Sequence, residues 1–210
     1  MTIRYLGHAC FEFTSKDGIK IITDPYTQVG YELSDGLCAD LLIISHAHFD
    51  HNYAQAVKCK VVLNEAKKYS FDGVEIEGIE SYHDTEMGAL RGKNIIYKII
   101  LDGITLCHMG DIGEECSDAL VAQVGKVDVL LIPVGGTYTV DAKGAKAYID
   151  KICPKAVIPM HYKPQDGALD IAGIQPFLDL FEDVSVKNVL DGVIKIDAST
   201  SGIIYMERVK

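Results

Sequence analysis

Three of the chain's seven histidines fall within six positions of the segment SHAHFDHN (45–52): His46, His48 and His51, with Asp50 before the last. Imidazole nitrogen and carboxylate oxygen are the ordinary protein ligands of Zn²⁺ and its first-row neighbours. In an extended segment residues two apart point the same way, so His46 and His48 can present their rings to one ion. If the chain then turns, Asp50 and His51 are redirected toward a second ion close by. HxHxDH is therefore expected to serve two metals, each still short of a protein ligand. A solvated loop that happens to be rich in histidine is the bland alternative. The segment follows an uninterrupted apolar run at 41–44, the mark of a strand buried on both faces.

Three residues can complete such a site. His83 in SYHD follows the strand-like GVEIEGIESY, Asp111 in HMGD follows a glycine that permits close approach, and His161 ends the apolar AVIPMHY. All three are expected at strand ends, where open α/β folds place their ligands. His108 competes with His83, but its spacing from Asp111 on one presumed strand puts the two side chains on opposite faces. His8 in GHA and Asp24 in TDP follow strands expected to reach the same rim, and metal-bound histidines commonly need a carboxylate on the other ring nitrogen. Tyr138 in GGTYT could steady an oxyanion, with glycine backbone amides beside it for an anion. Arg91 and Lys93 in ALRGKN, and Lys163 just beyond His161, are candidates for a substrate phosphate or carboxylate, although charged turns are ordinarily just solvated.

The elements that must position these residues read as follows. TIRYL and ACFEF are strands, Lys16-Asp17-Gly18 a turn and IKIITD a third strand, since Asp-Gly between apolar runs signals a hairpin. A loop is expected over 25–39, then the strand at 41–44, then short alternation of helix and strand to about residue 80. A short helix is expected over 117–124 and a buried strand over 129–132. An amphipathic helix is expected over 141–152, with Ala142, Ala145, Ile149 and Ile152 on one face. DGIKIITD resembles DGITLCHMGD, and DLLIISHAH resembles DVLLIPVGG, in the same order and at nearly the same separation. One domain over 1–210 with similar halves, roughly 1–90 and 91–210, is the reading this favours. Two such halves packed sheet to sheet make an α/β, four-layer αββα sandwich.

Composition bounds the function. Thirty acidic against twenty basic residues give a net charge of −10, which disfavours binding to phosphate backbones. No apolar run reaches membrane-span length, and the alternating N-terminus does not read as a signal peptide. The six cysteines are scattered without a CxxC pair, so they read as reduced thiols of a cytoplasmic protein.

HAHFDH, then His83, Gly110-Asp111 and His161 in order, resemble the five-part signature of the metallo-β-lactamase-fold hydrolases, over essentially the whole chain. LGHACFEF, ITDP, RGKNIIY, HMGD and IPMHY look most like a cytoplasmic branch of uncharacterised metal-dependent hydrolases, with ascorbate-phosphate lactonases and N-acyl-phosphatidylethanolamine phospholipases in neighbouring branches. The resemblance implies a first metal on His46, His48 and His83, a second on Asp50, His51 and His161, and Asp111 bridging. One departure stands out: Ser81-Tyr82-His83-Asp84 replaces the Gly-His-Thr-type turn of many members, which leaves His83 the least secure ligand and His108 its competitor. Two divalent ions are expected, zinc first, with Mn, Fe or Ni as alternatives. They would share a hydroxide that Asp50 orients, since paired ions lower the pKa of water from 15.7 to about 7. The leading expectation is a binuclear hydrolase of a small anionic ester, lactone or phosphoester. The alternatives are an iron-dependent redox enzyme on the same fold and a non-catalytic metal-binding protein. The expected partner is a small-molecule substrate, with no nucleic acid and no membrane; homo-oligomerisation stays open.

Overall fold

Side-chain alternation along the first strands divides the apolar residues between two cores. On β1 (Thr2–Gly7), β2 (Cys10–Thr14), β3 (Lys20–Thr23) and β4 (Leu37–Ile43), the side chains of Ile3, Tyr5, Phe11, Phe13, Ile21, Leu41 and Ile43 enter the larger core. Leu6, Cys10, Ile22 and Leu42, their neighbours in the period of two, enter a smaller one. A sheet with apolar residues on both faces must be covered twice, and this requirement generates the layers. The computed structural model describes residues 1–181 and 184–209.

The first sheet has six strands in the order β13-β1-β2-β3-β4-β5, with β5 at Val57–Leu63 and β13 at Val193–Lys195. The second has eight, in the order β12-β14-β11-β10-β9-β8-β7-β6. Its strands are β6 (Lys68–Phe71), β7 (Val74–Tyr82), β8 (Lys93–Leu101), β9 (Ile104–His108), β10 (Val129–Pro133), β11 (Ala156–Met160), β12 (Val186–Val189) and β14 (Gly202–Met206). Pairing runs antiparallel, antiparallel, parallel, parallel through β1–β5 and again through β7–β11. The segments of similar sequence occupy β3 and β9, and β4 and β10, equivalent places in the two series. The sheets do not divide at residue 90, however. The chain first changes sheet between β5 and β6, because β7 pairs with β8 along its whole length, Glu75 opposite Ile100 through Tyr82 opposite Lys93, and only β13 returns to the first sheet.

Helices α1 (Asp118–Val124) and α2 (Ala142–Ile152) form where expected. Ser117 caps the first by accepting Leu120 N–H at 3.1 Å, and Asp141 caps the second by accepting Gly144 N–H at 2.8 Å. The buried face of α2 is Ala142, Ala145, Tyr148, Ile149 and Ile152. Between 45 and 80 the expected alternation with helices does not occur. Among the described residues that stretch holds only a three-residue 3₁₀ turn, Ala54–Ala56, and otherwise strands. Val57, Val61 and Val62 suit the pleat of β5, and Asp72-Gly73, both at positive φ, close the β6–β7 hairpin. The outer layer over the first sheet is therefore the loop 25–36, whose Tyr26 and Val29 seal the smaller core. No helix among the described residues is long and apolar enough to cross a membrane.

The chemistry-bearing residues follow strand ends. His8 comes after β1, Asp24 after β3, the 45–52 loop after β4, His83 after β7, Asp111 after β9 and His161 after β11. The two sheets are tied at this rim by Ile95 N–H to Ser45 O at 3.0 Å and His161 N–H to His8 O at 2.9 Å.

Candidate metal centre

Backbone turns aim the ligand side chains inward. His51 N–H and Asn52 N–H both bond His48 O at 3.0 Å, so the chain reverses just after His48 and separates Asp50 and His51 from the two earlier histidines. His8, Asp24 and His161 adopt positive φ, 55, 38 and 52°, an uncommon conformation for L-residues that clusters at functional sites. Gly110, at φ 56°, is required by contact as well: a Cβ there would lie 2.2 Å from Asn94 Oδ1 and 2.8 Å from Ser45 Cβ. Gly110→Ala is accordingly expected to cost on the order of 3 kcal/mol, read as a lower thermal midpoint of metal-free protein and a loss of metal retained through desalting.

Three histidines are oriented by what their Nδ1 atoms touch. Ser45 Oγ donates to Asp24 Oδ2 at 2.6 Å and so accepts from His46 Nδ1–H at 2.9 Å. His51 Nδ1–H donates to Asp24 Oδ2 at 3.1 Å, and His83 Nδ1–H to the carbonyl of Tyr138 at 3.0 Å. In its neutral form each ring thereby carries its lone pair on Nε2, and all three Nε2 atoms converge on Asp111. His51 Nε2 lies 3.1 Å from Asp111 Oδ1, while His83, His161 and His46 Nε2 lie 3.2, 3.2 and 3.8 Å from Oδ2.

This convergence is the observation that tests for a metal. Nε2 of His46, His51 and His161, His161 Nδ1 and Asp111 Oδ1 are buried without a hydrogen-bond partner. Lone pairs facing carboxylate oxygens in a dry site repel, and buried polar groups left unpaired are costly. A cation among them turns each contact favourable. His46, His48 and His83 form one group with ligand atoms mutually within 4.8 Å; His51, His161 and Asp50 form another together with His8, and Asp111 reaches His46 and His51. The residues present fit a bound divalent metal.

The electrostatics follow burial. Burial pushes His46 down to about 3 and His8 down to about 4, so both rings are neutral near pH 7. Burial opposes ionisation of Asp50 and Asp111 too, yet facing histidines hold both well below the ordinary carboxylate range. Burial would likewise lower His51, but Asp111 and Asp24 together raise it.

The remaining candidates separate by position. His8 Nε2 donates to Asp50 Oδ2 at 3.2 Å and its ring packs 4.1 Å from that of His161. Tyr138 and Arg91 line a cavity of about 330 Å³ with His48, Phe49, Asp50, His83, Asp111 and Leu169. His108 does not line this cavity. Its Nδ1 accepts Gly110 N–H at 3.2 Å, its Nε2–H donates to Ala9 O at 2.9 Å, and it lies behind Asp24. Lys163 is exposed and absent from the cavity lining, turned aside with the chain before Pro164; Lys93 pairs with Glu80 at 3.0 Å. A second cavity, about 320 Å³ between Tyr31, Tyr162, Gln165 and Arg208, contains none of the cluster.

Sequence reasoning missed three positioning residues. Asn94, fully buried, accepts Asp111 N–H at 2.9 Å and donates to Ser81 Oγ and Met109 O. Ser45 links Asp24 to His46. Asp84 accepts four backbone N–H groups, of Glu86, Gly88, Leu90 and Arg91, and so shapes the loop 84–91. Burial raises the Asp84 carboxyl, but these donors outweigh it and hold it below its usual range.

Residues 2–161 match the family model described as the Beta-lactamase superfamily domain. A UPF0173 metal-dependent hydrolase of Pyrococcus furiosus is 30% identical over 190 residues, 76% of this chain and 84% of the relative. One of Methanoregula boonei is 29% identical over 212 residues, covering 89% and 93%. A crystal structure from Thermotoga maritima, of a candidate Zn-dependent hydrolase of the metallo-β-lactamase superfamily, superposes with a TM-score of 0.82. It is 33% identical and covers 100% of this chain and 99% of its own.

Proposed function

We propose that this chain, which belongs to the β-lactamase superfamily and is a metal-dependent hydrolase within it, holds two divalent ions and acts on a small anionic ester, lactone or phosphoester. The observation that carries the reading is the ring of buried, unpartnered nitrogens around Asp111. His46, His48 and His83 would hold one ion, Asp50, His51 and His161 the other, with Asp111 between them. Ions so held supply Lewis acidity and ionise water near pH 7, its pKa falling from 15.7 to about 7. Zinc suits this nitrogen and carboxylate set, and manganese, iron and nickel are the competitors.

The chain's own groups do the rest. Asp50 borders the cavity with Oδ2 bonded to His8, which fixes the carboxylate to orient the attacking water. Tyr138 supplies a hydroxyl donor for the developing oxyanion, while Phe49 and Leu169 limit water around the reacting group. The cavity volume, near the lower end of roughly 300–1,000 Å³ for ligand pockets, supports a small substrate. Unpaired thiols at all six cysteines support a reducing, cytoplasmic setting.

The test is chelation followed by reloading with zinc, manganese or iron, with metal content measured beside a panel of p-nitrophenyl phosphoesters, lactones and a cephalosporin. Two ions per chain and hydrolysis in at least one ester, lactone or phosphoester class, abolished by chelation, are expected. Fully loaded protein inert to every class overturns the reading.

A further inference from the structure

The chain has three arginines. Two are neutralised: Arg4 by both oxygens of Glu12 at 3.1 Å, and Arg208 by Asp166 through two bonds of 3.0 and 2.6 Å. Arg91 has no carboxylate within ion-pair distance among the described residues, although the chain carries thirty acidic side chains. It is also the one permanently cationic side chain lining the metal cavity.

Its position is fixed from several sides. Arg91 N–H donates to Asp84 Oδ2 at 2.7 Å, in the loop that this carboxylate organises. One guanidinium nitrogen donates to Thr137 O at 3.2 Å, and the guanidinium carbon lies 5.7 Å from the centre of the Tyr138 ring. Of the five N–H donors, this bond uses one, so most of the planar fork stays available. A half-buried guanidinium held in place without a counter-ion has already lost much of the freedom that binding would otherwise remove. The walls beside it are apolar: Phe49 is 49% and Tyr138 39% exposed, with Leu169 across from them. Such large exposed rings at a cavity mouth mark surface that a ligand covers.

Resting on the hydrolase reading above, we propose that Arg91 is the specificity residue of this site and selects substrates bearing a carboxylate remote from the scissile bond. A single guanidinium supplies one charge and a planar two-donor edge, which matches a monoanionic carboxylate; a phosphate dianion calls for more than one cation. The substrate is thus a small ester or lactone whose apolar body, between the carboxylate and the scissile group, lies against Phe49, Tyr138 and Leu169.

The experiment compares zinc-loaded wild type, Arg91→Met and Arg91→Lys in two ways. The first is hydrolysis of 4-acetoxybenzoate against phenyl acetate, which differ only by the carboxylate. The second is the dissociation constant of benzoate by NMR titration. The kcat/KM preference for the carboxylated ester is expected to fall about 10- to 100-fold in Arg91→Met, through KM, with benzoate affinity falling in parallel and Arg91→Lys lying between. An unchanged preference with active enzyme overturns the proposal and leaves the hydrolase reading standing. Hydrolysis of neither ester with Arg91-dependent benzoate binding supports the carboxylate site and counts against an ester substrate. Hydrolysis of neither, with benzoate binding indifferent to Arg91, overturns both.

Discussion

Asp50→Ala is expected to lower turnover by about 10³- to 10⁴-fold while the fold persists. The size of the loss follows from two duties on one carboxylate. Asp50 Oδ2 lies 3.2 Å from His8 Nε2, 3.8 Å from His51 Nε2 and 4.0 Å from His161 Nε2, within the second metal group. It also borders the cavity, where substrate and water meet. Alanine removes a ligand and the group that orients water together. The metal count should fall toward one per chain, because His46, His48 and His83 remain. The fold should survive because Asp50 stands in the rim loop after β4, outside both apolar cores. A thermal midpoint within a few degrees of wild type is therefore expected after chelation. A fully metallated Asp50→Ala protein with wild-type rates would show that the second metal group is not catalytic. His8→Ala makes a useful companion: it leaves the ligands in place and should give a smaller loss, about 10- to 100-fold.

How much of this was legible in the sequence depends on the range of each interaction. The 45–52 loop announced itself, since its ligands lie within one turn and their types admit few uses. His83, Asp111 and His161 were legible as residues ending apolar runs. The choice between His83 and His108 was harder, because both flank strands. It turns on which face of β9 His108 occupies and on the Gly110 N–H that takes its lone pair. Asn94 and Ser45 were not legible as positioning residues. Each acts between neighbouring strands of one sheet, Ser45 on Asp24 beside His46 and Asn94 on Asp111, and spacing along the chain carries no trace of such contacts. Arg91 could be listed from sequence but not ranked, since the lack of a counter-ion is a three-dimensional property. The helices expected between 45 and 80 failed for a related reason. The β-branched residues of β5 are satisfied by pairing with β4, and a loop supplies the cover that helices were expected to give.

Asp24→Ala should produce the largest loss of stability, about 3–5 kcal/mol. Asp24 is fully buried, and its carboxylate accepts Ser45 N–H at 2.7 Å, Ser45 Oγ–H at 2.6 Å and His51 Nδ1–H at 3.1 Å. Alanine leaves these three donors facing a dry space with nothing to receive them. For a chain of this size each kcal/mol moves the midpoint by about 2–4 °C, so a drop on the order of 10 °C is expected. Metal-free protein is the right sample, because the loss then reports the carboxylate's own hydrogen bonds. Asparagine tests the same point more finely. Its amide oxygen can accept Ser45 N–H, but its NH₂ then faces the Ser45 hydroxyl and His51 Nδ1–H, donor against donor. Asp24→Asn should thus recover part of the stability without restoring His51 as a ligand. The pH dependence has a definite sign. Burial raises the Asp24 carboxyl, but the bond from His51 and the charges of His51, His108 and His46 hold it below its ordinary value in the folded state. Its contribution is then complete above the unfolded pKa of about 3.9 and is lost as pH falls through the lower folded value. Wild type and Asp24→Ala should differ by the full amount at pH 7 and converge in acid. A constant gap from pH 7 to pH 2 would mean that the side chain acts through packing, and that the orientation of His46 and His51 has another source.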